Sequence, residues 1–277
     1  LRVYANGWYQ GPRDPAFFAE AAAQMVSKGY TALKFDPFGG AYQQITPESE
    51  QRAVDIVRAA REAVGPKVDL LIEAHDRFTV TNAIRLGRRL EEFRPFWIET
   101  PVRTYDILAN IEVARAIQVP VVLGEGFDRL RDFAELLAYR VIDIVQPEPM
   151  ALGPSTARKA FGIAQAYEAL VACHQAQSPF CTAMNAHLHA SIPNFLIQEN
   201  FDDSLEPWTW DVLQGVPRVD GAGYLAVSDA PGWGVELNED KMGRYIDARR
   251  SIGYLPLFCT GWHEMARQNG LPKYPPF

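Results

Sequence analysis

The chain has 277 residues, 48% of them hydrophobic and 22% charged, and a formal net charge of −7. That length suits one large α/β domain better than two small ones, and no apolar run approaches the length of a membrane span. The acidic balance and the lack of a Lys/Arg stripe exclude nucleic acid as a partner, so an anionic small molecule would have to be captured by a local cation.

The first residues carry no signal-peptide pattern and begin with strand-like alternation around Val3 and Ala5. A helix is predicted over 15–28, stopped by Gly29. A second strand over 31–35 carries Lys34 and ends at Asp36-Pro37. After a glycine-containing loop, a helix opens at Thr46-Pro47-Glu48 and runs to Val64, before Gly65-Pro66. Strands three, four and five then end in acids: Leu70-Leu71-Ile72-Glu73, Phe96-Trp97-Ile98-Glu99 and Val121-Val122-Leu123-Gly124-Glu125, with helices over 79–90 and 106–117 between them. Further on come a helix over 133–138, strand six over 141–145, a helix over 153–168 and the short strand seven at Leu170-Val171-Ala172. A helix over 182–191 leads to strand eight, Phe195-Leu196-Ile197-Gln198-Glu199. Strict alternation of strand and helix predicts a closed parallel barrel over 1–200. Beyond it, 201–277 is turn-rich and aromatic, with Trp208, Trp210, Trp233 and Trp262. It reads as an extension packing on the barrel or on a neighbouring subunit, with a homo-oligomer as the expectation. Cys173, Cys181 and Cys259 lack CxxC spacing, which fits a reducing, cytoplasmic setting.

Glu73, Glu99 and Glu125 recur at intervals of 26 residues, about one β/α repeat, so they fall at equivalent heights on adjacent strands. Three such carboxylates repel one another unless a cation lies between them, and hard oxygen donors in that number suit Mg²⁺. His75 follows Glu73 by two and shares its face if the strand extends that far; His174 follows strand seven, where Glu148, after strand six, can accept its hydrogen bond. Lys34 needs a partner, and Asp36, two residues on, is a candidate; both are also candidates for substrate contact. Arg77 can bind a substrate group or pair with a loop acid. Trp8, Phe38 and Tyr42 are candidates to line the mouth, whereas His187 and His189 receive no role because two residues apart on a helix they face different ways.

Taken together, these motifs resemble the enolase superfamily, in its mandelate racemase-like branch of acid-sugar dehydratases. The matching residues are Lys34-Phe35-Asp36, Glu73-Ala74-His75, Trp97-Ile98-Glu99-Thr100-Pro101, Leu123-Gly124-Glu125, Gln146-Pro147-Glu148, His174 and Ile197-Gln198-Glu199. The closing segment Pro231-Gly232-Trp233-Gly234-Val235-Glu236 is similar too. The resemblance implies a TIM-type (β/α)7β barrel, Mg²⁺ on Glu73, Glu99 and Glu125, a His174–Glu148 acid/base dyad, Glu199 at the substrate carboxylate, and His75 as the acid that assists departure of hydroxide. It implies dehydration of a sugar acid to a 2-keto-3-deoxy acid. The sequence departs from the pattern in three ways: Asp36 stands where racemases carry a second lysine, Glu148 stands where the dyad usually has Asp, and the N-terminal α+β capping domain is not seen. The alternatives are a racemase, epimerase or lactone cycloisomerase of the same superfamily, or a non-catalytic barrel lacking its cap.

Overall fold

The computed structural model describes residues 1–252; Cys259 and Trp262 lie outside the described residues. Eight short parallel strands form the centre: β1 (Val3–Ala5), β2 (Ala32–Phe35), β3 (Asp69–Glu73), β4 (Trp97–Glu99), β5 (Val121–Val122), β6 (Ile144–Val145), β7 (Leu170–Val171) and β8 (Gln198–Asn200). Six pair in the order β5-β4-β3-β2-β1-β8, and β6 pairs with β7. Parallel bridges Leu123↔Val145 and Val171↔Phe195 join the two sheets on both sides, so the barrel closes and leaves no free edge.

The helices form because their ends are chemically marked. Asp14, Thr46, Thr79 and Asp106 each accept a backbone N–H at the start of α1 (Pro15–Ser27), α2 (Pro47–Val64), α3 (Val80–Leu90) and α4 (Ile107–Ala116). Each such cap stabilises by about 1 kcal/mol. α5 (Leu130–Ala138) starts earlier than its apolar pattern suggests, and β6 is shorter than the predicted 141–145. The predicted 153–168 helix is α7 (Pro154–Ala166); a short α6 (Pro149–Leu152) that the sequence pattern did not announce precedes it, and Gly153 at φ 76 separates the two. α8 (Pro179–Ala190) begins at its proline, which needs no intrahelical N–H partner there.

The barrel interior is layered with period two. Its floor is apolar, built from Tyr4, Ala32, Leu71, Trp97, Val122, Ile144, Ala172 and Ile197, one from each strand or its immediate end. Two residues further along each strand lie Asn6, Lys34, Glu73, Glu99, Gly124, Gln146, His174 and Glu199. Side chains alternate across a strand, so this polar layer rests directly on the floor, at the C-terminal rim where barrels of this kind carry their chemistry. On the floor Trp97 and Tyr4 meet edge to face, centroids 5.5 Å apart.

The described part of the extension contains α9 (Trp208–Asp211), an antiparallel ribbon of β9 (Leu213–Gln214) with β10 (Glu236–Leu237), and α10 (Glu239–Ile252). Between β9 and β10 the chain crosses beneath the barrel: Leu1 and Leu225 exchange backbone hydrogen bonds, and Val3 donates to Gly223 at 3.0 Å. Leu225 is buried there. The crossing strand comes so close that a Cβ on Gly29, which also has φ 105, would sit 2.5 Å from the Gly221 backbone. None of the described helices is long and apolar enough to cross a membrane.

Candidate active site

Lys34 is the cation at the centre of the polar layer. It is 1% exposed, and its Nζ lies 2.7 Å from both Glu99 Oε1 and Glu199 Oε1 and 3.4 Å from Glu73 Oε2. Burial lowers its pKa, but Glu199 and Glu99 outweigh burial and hold the ammonium charged well beyond its ordinary range. The expected Lys34–Asp36 pair does not form. A lysine reaches across the barrel axis, and the acids of β4 and β8 stand nearer its head than the residue one step up its own strand.

Glu73 and Glu99 sit opposite one another in the register of β3 and β4. Glu73 Oε1 accepts from the His75 amide at 2.7 Å and from Thr100 Oγ1 at 3.1 Å, while Glu99 Oε2 accepts from Trp97 Nε1 at 3.1 Å. Burial first, and then the Glu73 charge, push the Glu99 carboxyl up to about 8. Glu199 goes the other way: burial raises it, but Lys34 and His174 bring it below the usual carboxylate range. It accepts from Asn6 Nδ2 and from the Gln175 amide, each at 2.7 Å.

Glu125 reaches the mouth because the alternation breaks just before it. Gly124 has φ 134, and a Cβ there would meet the Gln146 amide nitrogen at 3.2 Å, so only glycine fits the bend. Glu125 Oε2 then approaches His174 Nε2 at 3.1 Å, and His174 Nδ1 lies 2.6 Å from Glu148 Oε2. Glu148 is itself fixed, its other oxygen accepting the Met150 amide at 2.9 Å at the start of α6. Burial opposes protonation of His174, yet Glu125, Glu148 and Glu199 together raise it to about 10, so in this arrangement the ring holds its proton.

A second imidazole–carboxylate pair stands on the β2–β3 side. β3 ends at Glu73, so His75 does not extend the strand; it turns into the mouth through left-handed backbone at His75 (φ 48) and Asp76 (φ 57). Its Nδ1 lies 2.8 Å from Asp36 Oδ2, and the ring is 30% exposed. Burial lowers the His75 pKa, but Glu73 and Asp36 reverse the shift and leave it raised. Asp36 also accepts the Phe38 amide at 2.8 Å; burial raises its carboxyl, but the Arg77 guanidinium and His75 leave it below its ordinary value. Of the two roles expected for Arg77, substrate contact and pairing with a loop acid, the structure shows the second: it is buried, bonded to Asp36, to Gly39 O and, at 2.8 Å, to Ala74 O, so it holds Asp36. Trp8 and Phe38 also leave the mouth. Trp8 packs on Phe18 and Phe35, and Phe38 is buried against Phe78, whereas Tyr42 stays exposed.

His189 sits inside the protein, bonded to the Cys173 amide and Gln198. His187 faces Trp233, with centroids 5.9 Å apart. The sequence reading gave no role to Asn6, Thr100, Gln146 and Gln175, although Thr100 and Gln146 stand in the motifs it quoted. The first and third could have been found by counting two residues on from the apolar floor.

Among the described residues no three His, Cys, Asp or Glu side chains converge as a ready cage for a metal ion. The donor chemistry nevertheless fits a hard divalent cation. Burial and the neighbouring Glu73 charge drive Glu99 to about 8 in spite of Lys34, so this carboxylate pair would accept further positive charge, and Glu125, across the same rim, is engaged by an imidazole that competes for its oxygen.

A closed parallel barrel thus carries carboxylates and two imidazole–carboxylate pairs at its C-terminal rim, the end at which β/α barrels place their chemistry. Residues 17–241 match the family described as enolase C-terminal domain-like, and the chain belongs to that family. It is similar to the D-gluconate/D-galactonate dehydratase of Picrophilus torridus, with 38% identity covering 89% of this chain and 63% of that protein. It is also similar to the D-gluconate dehydratase of Thermoproteus tenax, at 36% identity over 88% of this chain and 49% of that one. A solved mandelate racemase/muconate lactonizing enzyme-like protein from Roseovarius sp. superposes with a TM-score of 0.80 at 35% identity, covering 87% of this chain and 63% of that one. The chain thus spans about half to two thirds of the length of these relatives.

Proposed function

We propose that the protein dehydrates a sugar acid to a 2-keto-3-deoxy acid with the help of Mg²⁺. The observation that supports this most is the pair of imidazoles, His174 on Glu148 and His75 on Asp36, delivered to one rim from strands four apart in the ring. One proton must be removed and another supplied, and each ring has its Nδ1 fixed by a carboxylate, leaving Nε2 for the substrate.

The proton beside a carboxylate is very weakly acidic, so its removal needs a stabilised enediolate; enolase-superfamily sites are a standing example of a Lys or His base working with Mg²⁺. Glu73, Glu99 and Glu125 would hold the ion, which when bound supplies the positive charge that stabilises the developing enediolate. His174 takes the α-proton at Nε2. With Glu125 turned against it that nitrogen carries a proton already, so drawing the Glu125 charge away is what frees His174 to act as a base. The electron pair left at Cα forms the new double bond as the β C–O bond breaks. His75 gives its proton to the departing hydroxyl, water leaves, and the enol tautomerises to the keto acid. Lys34 would supply the positive charge at the substrate carboxylate end of the site, and Glu199, held by Lys34 and Asn6, would line it.

Incubating a panel of sugar acids with the protein and Mg²⁺ and detecting 2-keto acids tests the proposal. Turnover that falls by on the order of 10² to 10⁴ in His174→Ala is expected; undiminished turnover in that variant would refute the assignment. Deuterium entering recovered substrate from heavy water, with no keto acid formed by the unaltered protein, would indicate epimerisation or lactone isomerisation instead.

A further inference from the structure

An open cavity of about 680 Å³ lies beside His75, on the side of the mouth formed by the loops after β2, β3 and β4. Tyr42, Arg103 and Tyr105 face it, with the carboxylates of Asp76 and Asp106. Its volume is within the range of small-molecule sites. Arg103 is exposed and donates to Tyr42 Oη at 2.7 Å, tying the β2 loop to the β4 loop, and no carboxylate pairs with its guanidinium among the described residues. Because Tyr42 accepts that bond, its own O–H is free to donate outward. Tyr105 is 62% exposed and held at its tip by a bond to Gly126 O, so its ring is a fixed apolar face rather than a mobile side chain. Asp76 is fixed as well, one oxygen accepting from the Thr104 amide and hydroxyl at 2.8 and 2.7 Å.

We propose that this cavity is the subsite for the uncharged polyol end of the substrate, with Arg103 and Tyr42 bonding its hydroxyls and Tyr105 lying against its carbon chain. The inference rests on the dehydratase reading, in which His75 protonates the departing hydroxyl. Because His75 itself lines the cavity, the carbons beyond that hydroxyl extend into it. Hydroxyls are both donors and acceptors, and the cavity offers a guanidinium, a phenol and carboxylate oxygens together with an aromatic ring for the C–H faces. A phosphate or second carboxylate at the chain end would meet two carboxylates against one guanidinium, and like-charge repulsion disfavours it.

The test is binding and turnover with acids that differ only in reach: threonate with four carbons, gluconate and galactonate with six, and 6-phosphogluconate as the charged-end probe. By titration calorimetry and kcat/KM, Arg103→Ala should weaken the better six-carbon acid about tenfold, the size of one hydrogen bond to a charged group at a partly exposed site, while threonate changes less than twofold. Tyr42→Phe should give a smaller loss with the same dependence on chain length, and Arg103→Lys should restore part of it. Arg103 is at the surface, and an unchanged melting temperature confirms that each variant is folded. If Arg103→Ala weakens four- and six-carbon acids alike, the subsite is wrong and the dehydratase reading survives. If 6-phosphogluconate binds at least tenfold tighter than gluconate and loses that advantage in Arg103→Ala, the cavity is an anion site and the proposal is overturned. If the unaltered protein binds none of these acids, the dehydratase reading falls and the subsite falls with it.

Discussion

Replacing Lys34 by Met tests whether the polar layer is held together by charge balance. Methionine retains most of the apolar stem and removes only the ammonium, which lies 2.7 Å from Glu99 and Glu199 and 3.4 Å from Glu73 with every partner almost fully buried. Removing one partner of a buried ion pair typically costs about 3–5 kcal/mol, because the charges left behind are uncompensated. For a domain of this size that corresponds to a fall in Tm of roughly 6 to 20 °C. The sign with pH follows from the acids. Without Lys34 the Glu99 carboxyl, already raised, rises further, and Glu199 loses the partner that holds it below its ordinary range, so both favour the protonated form more strongly. The loss is therefore greatest at neutral and alkaline pH and shrinks as pH falls and the carboxylates take up protons. Mg²⁺ should restore part of it, by about 2.7 kcal/mol at a hundredfold excess over its Kd, while Na⁺ at equal ionic strength should not. Thermal unfolding at pH 5, 7 and 8.5 with each salt is the assay. A loss under about 1 kcal/mol, or one equal at all three pH values, would refute the charge-balance argument.

Glu148→Gln leaves the His174 ring a neutral partner in place of a carboxylate. The catalytic rate should drop on the order of 10²-fold or more with KM little changed, which steady-state kinetics at saturating Mg²⁺ would show. Gly124→Ala places a side chain where φ is 134 and the Gln146 amide nitrogen is 3.2 Å away. A strain of about 1–3 kcal/mol is expected, with Mg²⁺ affinity by calorimetry falling as Glu125 is displaced; unchanged affinity would contradict this. Burial lowers His189 from 6.5 to about 4. Its contribution is therefore fully present above pH 6.5 and lost as pH falls through 4, a change of about 3 kcal/mol. Denaturant titrations across that window should show the decline, and His189→Gln should flatten it.

Much of the barrel could be read locally. An apolar run ending in an acid, followed by a capped helix, is a signal contained within one repeat, and it located β3, β4 and β5 with their glutamates and the His174–Glu148 pair. What escaped was set by contacts across the ring. The i, i+2 rule correctly put Lys34 and Asp36 on one face, but it gives no account of height: Lys34 lies level with Glu99 and Glu199, whereas Asp36 stands at the rim with His75 and Arg77. Arg77 looked available because its partners, Asp36 and Gly39 O, belong to the preceding repeat. His75 reached the mouth by a left-handed turn that nothing in Glu73-Ala74-His75-Asp76 announces, since neither residue there with positive φ is glycine. The passage of 219–225 beneath β1 was equally hidden, its pairing with Leu1 and Val3 spanning most of the chain.

Division of labour between the two imidazoles is the central claim, and His75→Asn in heavy water with Mg²⁺ and a turned-over sugar acid separates them. With the proton donor gone and His174–Glu148 intact, deuterium should enter the α-position of recovered substrate while keto-acid formation falls by at least about 10²-fold. Keto acid formed at the original rate, or no deuterium exchange in His75→Asn together with unimpaired exchange in His174→Ala, would contradict it.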